Sequence, residues 1–157
     1  MAVESIFYSA SGISCRGALI WDEGVKAPRP LLLMAPNWRG VIKQAIETGQ
    51  MLAGEGYVVF VADMFGEGNG PVGTENPMEF LRPFMSDVPG RRRRIAAALD
   101  TLTREADRRA IGDISRRAAI GYCFGGLNVI GLARTGADVQ AVVSMHGTLS
   151  TPQPAKP

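Results

Sequence analysis

Along this chain, short uninterrupted apolar runs alternate with longer stretches in which apolar residues recur every three or four positions. Residues 4–10 and 15–21 carry aromatic and β-branched side chains on either side of Ser11-Gly12-Ile13-Ser14, which predicts an antiparallel hairpin. A Gly/Pro-rich connector from Gly24 to Pro30 then leads into Leu31-Leu32-Leu33-Met34-Ala35, which has no polar position, as a strand buried on both faces requires. From Val41 onward, positions 42, 45, 46, 49, 52 and 53 mark one face of a helix, and Gly54-Glu55-Gly56 supplies its stop. Residues 57–62 repeat the buried-strand pattern. Strand, helix and strand in this order predict a βαβ unit with parallel strands, whose carboxyl-end loops form the usual ligand crevice. Asn37, Trp38, Asp63 and Met64 are therefore expected to point toward a site.

Residues 64–77 are turn formers throughout, and a loop of that length is expected to cover the cleft. A short helix is predicted near 78–85. Ser86-Asp87-Val88-Pro89 then opens a longer helix, buried through Ile95, Ala98, Leu99, Leu102 and Ala106 and running to about Arg109. Residues 117–127 read as a strand, a tight turn and a helix. Residues 139–145 form another buried strand ending at His146-Gly147. The segment 150–157, with three prolines and no apolar run, is expected to be disordered. The whole predicts one α/β domain over residues 1–149, without internal repeats.

Composition narrows the chemistry. Seventeen basic and fifteen acidic residues are interspersed to a net charge of +2, so there is no electrostatic footprint for nucleic acid. The two cysteines, Cys15 and Cys123, lie far apart and outside any metal-ligand spacing; neither a disulfide framework nor a metal site is expected, and no cofactor. That usage suits a reducing cytoplasm. The N-terminus has no leader pattern and no apolar run reaches membrane-spanning length, so no membrane partner is expected. Arg91 to Arg94 open a helix and read as a solvated segment, with a bound anion as the alternative. Asp63, at a strand end, reads as a turn cap ahead of a catalytic carboxylate.

The chemical signal lies at Gly121-Tyr122-Cys123-Phe124-Gly125-Gly126. Gly-x-Cys-x-Gly between a strand and a helix is the cysteine form of the nucleophile elbow, in which a strained turn lifts a side chain above the sheet. The helix N-terminus there favours a thiolate, and the Phe124 amide is placed to hold an oxyanion. The competing reading is a structural cysteine ahead of a glycine-assisted turn.

With these residues the sequence resembles the dienelactone hydrolases, cysteine members of the α/β-hydrolase fold that open lactones or esters. The resemblance runs from about Ser5 to Leu149. It rests on 121–126, on Gly56-Tyr57-Val58-Val59-Phe60-Val61-Ala62-Asp63-Met64-Phe65-Gly66, and on the segment ending at His146-Gly147. It implies a mainly parallel sheet with helices on both faces, Cys123 as nucleophile, and the backbone amides of Phe124 and Trp38 as the oxyanion hole. Asn37, Arg82 and Tyr122 become candidates for substrate contact, in a small-molecule ester or lactone site. Two departures stand out. Asn37 occupies the loop where many members carry a glutamate that helps ionise the cysteine. The acid and histidine expected after the elbow are also missing: His146, at the carboxyl end of its strand, is a candidate base, but a structural role is favoured because it matches a His-Gly position that is not the catalytic one and Asp138 precedes its strand. The acid and the histidine are therefore expected beyond residue 157, with the C-terminal strands and helix, and the 157-residue chain is expected to be nearly inactive. The alternative is a non-catalytic binding or thiol-sensing module. An open strand edge near 140–145 would also permit self-association.

Overall fold

The computed structural model describes residues 1–71 and 76–155. The predicted hairpin is β1 (Ala2–Ala10) and β2 (Ile13–Trp21), paired antiparallel from Ala2↔Trp21 to Ala10↔Ile13. Its turn is tighter than the four residues expected: only Ser11 and Gly12 lie outside the ladder, both at positive φ (55° and 82°). That geometry matches the right-handed twist of the strands it joins.

The apolar run becomes β3 (Arg29–Ala35), followed by α1 (Lys43–Gly54) and β4 (Val58–Val61), and β3 and β4 are parallel neighbours, as the βαβ pattern demands. Next come α2 (Pro77–Ser86), α3 (Val88–Arg108), β5 (Gly112–Tyr122), α4 (Phe124–Ala133) and β6 (Ala141–Met145). The strands form one mixed, mostly parallel sheet in the order β1-β2-β4-β3-β5-β6. Asn76 caps α2 by accepting from the Met78 and Glu79 amides, with Pro77 at the first helical position, and Asp87 caps α3 through the Gly90 amide. Strand β5 starts earlier than its apolar run suggests. Gly112 and Asp113 already pair with Arg29 and Pro30, and the register then slips before Leu31 meets Arg117. Of the long loop expected to cover the cleft, residues 72–75 lie outside the described residues.

Side chains alternate between two apolar layers. Leu31, Leu33, Ala35, Val58 and Phe60 face α3 and α4, which contribute Ile95, Ala98, Leu99, Leu102, Ala106, Leu127, Val129 and Leu132. Leu32, Met34, Val59 and Val61 face Ala45 and Ala53 of α1. A continuous apolar strand needs both covers. The α1 side is covered only in part: Val143 and Met145 of β6 are 46% and 45% exposed, beside half-buried Ile120 and Tyr122.

One sequence expectation needs correction. Arg91 is not solvated but 4% exposed, wedged among three helices where its guanidinium donates to Asn128 Oδ1 and the Met85 carbonyl, both at 3.4 Å. Four consecutive residues circle a helix, so one of them must face inward. Burial pulls its pKa below the usual arginine value. Of the other three, only Arg93 is fully exposed; the Arg94 guanidinium lies over the Phe84 ring and donates to the Met64 carbonyl. Residues 150–155 carry no helix or strand, and the Arg134 and Arg92 side chains donate to the Leu149 and Gln153 carbonyls.

Candidate active site

Strand β5 runs into Cys123 and α4 begins at the next residue. Between them Cys123 adopts φ 55° and ψ −115°, a conformation an L-residue holds only when its surroundings force it. The forcing contacts are backbone against backbone. A Cβ on Gly121 would sit 2.2 Å from the Gly125 carbonyl oxygen, and one on Gly125 would sit 2.0 Å from that of Ala35. The Cys123 amide donates to the Met145 carbonyl (2.9 Å), which ties the turn to the end of β6. Cys123 itself is half-buried at the N-terminus of α4, where unpaired amides and the helix dipole favour an anion.

The register Ala35↔Gly121 brings the loop after β3 beside this turn. Asn37 shapes that loop: its Oδ1 accepts from the Arg39 amide (2.9 Å) and its carbonyl accepts from the Gly40 amide (3.0 Å). The residue between, Trp38, packs half-buried against the core cluster that holds Phe124. Neither the Trp38 nor the Phe124 amide donates to another described residue. Two free backbone donors thus flank the sheet end at which Cys123 sits.

The loop after β4 departs from expectation. Asp63 lines the cleft beside the hairpin, and Met64 lines none of the described clefts. Met64 is fully buried, and the Asp63 carboxylate is consumed by the chain: Oδ1 accepts from the Phe65 and Gly66 amides (3.0 Å each) and Oδ2 from the Arg16 amide (2.9 Å). The Tyr8 hydroxyl donates to the Asp63 carbonyl and accepts from its amide. Asp63 is thus a turn cap that pins this loop to the hairpin. Phe65, which the sequence pattern did not single out, stacks on Phe124 with ring centroids 5.4 Å apart and meets Phe80 and Phe84 edge-on. Its advance signals were its place at the end of the 56–66 segment and the glycines that follow it.

His146 leaves β6 at φ 46°, exposed, and lines a cleft of about 270 Å³ with Asn37, Tyr122, Gln44 and Thr48 above Met34 and Ile42. The structure therefore gathers Asn37, Tyr122 and His146 on the α1 side, in a cleft whose lining does not include Cys123. Asp138 cannot orient His146: it pairs with Arg117 at the opposite end of the strands. Arg82 stands exposed on α2 and lines neither this cleft nor the larger one beside the hairpin.

Cys15 offers an internal contrast. It is fully buried in β2, and burial, helped by the nearby Asp63 charge, pushes its thiol up to about 11. At pH 7 iodoacetamide is expected to label Cys123 and spare Cys15 until the protein unfolds, read by peptide mass spectrometry; equal labelling of both native thiols would contradict this. The sign of the alkaline effect follows. An unfolded cysteine ionises near about 8.5 while the folded one keeps its proton, so stability falls as pH rises through that window toward 11.

The Dienelactone hydrolase family model matches residues 16–157. A dienelactone hydrolase-like promiscuous phosphotriesterase from metagenomic libraries is 34% identical with a TM-score of 0.87, over 97% of this chain and 62% of that one. A second solved structure, m3DLH, is 33% identical with a TM-score of 0.88, over 98% and 62%. The dienelactone hydrolase from Anabaena variabilis shares the fold at 18% identity and a TM-score of 0.67, over 93% of this chain and 63% of its own. No curated protein matches. The chain thus spans 62% of the length of the first two relatives. Matched over most of its length and a third identical to solved relatives, the chain belongs to the dienelactone hydrolase family.

Proposed function

We propose that the protein hydrolyses a carboxylic ester or lactone, with Cys123 as the nucleophile of a nucleophile elbow. The observation that supports this most directly is the strained Cys123 backbone at the head of α4, set between two amides with no partner among the described residues. In the reaction the thiolate sulfur attacks the carbonyl carbon, and the carbonyl electron pair moves to oxygen, where the Phe124 and Trp38 amides hold it. Collapse of the intermediate expels the alkoxide or phenoxide and leaves a thioester on Cys123. In this reading the general base that activates water for deacylation, and the carboxylate that orients it, come from the part of the fold that relatives have and this chain does not span. His146 is given no such role in this reading, since it lines a cleft whose lining lacks Cys123 and Asp138 is committed to Arg117.

The test follows from that division of labour. With p-nitrophenyl acetate, the 157-residue chain is expected to release about one equivalent of nitrophenolate and then nearly stop, while Cys123→Ala releases none. A full-length protein is expected to continue past the burst. A wild-type chain that matches Cys123→Ala would end the hydrolase reading. Rapid alkylation of Cys123 without any ester burst would point to the thiol-sensing alternative.

A further inference from the structure

We propose that Phe65 is a positioning residue that sets the spacing between the two oxyanion amides; this rests on the catalytic reading of Cys123 above. The two donors belong to loops that follow different strands, β3 and β5, and no hydrogen bond joins Trp38 to Phe124 among the described residues. The β3–β5 register sets their approximate separation, and side-chain packing sets the rest. One ring touches both sides. Phe65 stacks nearly parallel on the Phe124 side chain, at 13° and 5.4 Å, and one edge of it lies near Gly40, where a Cβ would be 3.3 Å from Phe65 Cδ2. Gly40 ends the turn that carries Trp38, and that turn is itself closed by the Gly40 amide on the Asn37 carbonyl.

A spacer must not move, and Phe65 is held from every side. It is 3% exposed; its amide is fixed by Asp63 Oδ1; the Phe80 and Phe84 rings of α2 stand against it, each at 4.9 Å. Asp63 is in turn locked to β2 by the Arg16 amide and to β1 by the Tyr8 hydroxyl. The chain of contacts runs from the hairpin through one aromatic ring to the side chain of one donor residue and to the turn that carries the other. Such donors act only when they lie within hydrogen-bond distance of the point where charge develops, and their effect falls steeply with displacement. A smaller side chain at 65 would let the 36–40 loop relax toward the vacated space and open the hole, without touching the thiol.

That distinction can be measured on the chain itself. Acylation of Cys123 by p-nitrophenyl acetate passes through an oxyanion: the S–C bond forms, nitrophenolate leaves, and the thiol proton goes to buffer. Alkylation by iodoacetamide displaces iodide at a saturated carbon and passes through none. The ratio of the two rates therefore reports the oxyanion hole apart from thiolate content and access. Phe65→Leu is expected to lower the ratio about 10-fold or more, with alkylation within about twofold of wild type, since loss of one oxyanion donor costs on the order of 100-fold. Leu102→Ala, a core change in α3 away from the site, is expected to lower the melting temperature and leave the ratio alone. If Phe65→Leu fails to fold, Phe65→Met, which keeps more of the volume but not the ring, is expected to lower the ratio likewise. An unchanged ratio in the folded variant, or acylation and alkylation falling together, overturns the positioning role. A wild-type ratio no higher than that of free cysteine overturns the catalytic reading, and this one with it.

Discussion

Cys123→Gly is expected to abolish the nitrophenolate burst and, in the same protein, to raise the melting temperature. A glycine normally weakens a fold by widening the unfolded ensemble, by about 0.5–1 kcal/mol. Here the native residue sits at φ 55° and ψ −115°, where a side chain costs about 1–3 kcal/mol and glycine costs little. The second effect is the larger, so a net gain of about 1 kcal/mol, or about 2–4 °C in a chain of this size, is expected in a thermal melt. A melting temperature below wild type would show that the turn is not strained. Opposite signs for activity and stability at one position would mean that the thiol is held there for chemistry and against the preference of the backbone.

Gly125→Ala is expected to be the most destabilising single methyl addition in the site. Its Cβ would meet the Ala35 carbonyl oxygen at 2.0 Å and the Pro36 oxygen at 2.5 Å, and neither is a flexible side-chain end that could swing aside. The end of β3 and the start of α4 would have to part. A cost of about 3 kcal/mol or more is expected, at the upper end of overpacking effects, or a drop of about 6–12 °C. Gly54→Ala makes the comparison: nothing lies within 4 Å of the added methyl and the residue is helical, so the same change should be neutral or slightly stabilising. Equal melting temperatures for the two variants would remove the case for backbone contact at the turn.

How much of this was legible beforehand depends on whether a signal is local. The glycines at 121 and 125 and the thiol between them are close in sequence, and the strand on one side and the helix on the other announce themselves by pattern, so the turn could be found without coordinates. The βαβ unit was legible for the same reason. Arg91 was not, because four successive arginines carry no mark of which one faces inward; that is decided by where α2 and α4 dock. Asp63 and Met64 sit at a strand's carboxyl end, which suggested side chains pointing toward a site, but the cap to Arg16 commits the carboxylate and depends on a strand remote in sequence. Phe65 was missed because its partners, Gly40, Phe80, Phe84 and Phe124, come from four segments. Asn37, Tyr122 and His146 were each suspected alone; only the register of β3, β5 and β6 shows that they share a cleft while Cys123 lies outside its lining.

The order of the strands carries a consequence for time as well as space. From β3 outward, β5 and then β6 join the same growing edge in the order in which they are made, and β5 must reach back across α1, β4, α2 and α3 to find β3. Pairings between remote segments close late, since the intervening loop entropy must be overcome first. The unusual backbone at Cys123 needs both of them, because it is pressed against Ala35 on one side and bonded to Met145 on the other. The thiol therefore acquires its geometry only when β6 has docked, and a nascent or partly unfolded chain carries an ordinary cysteine in its place.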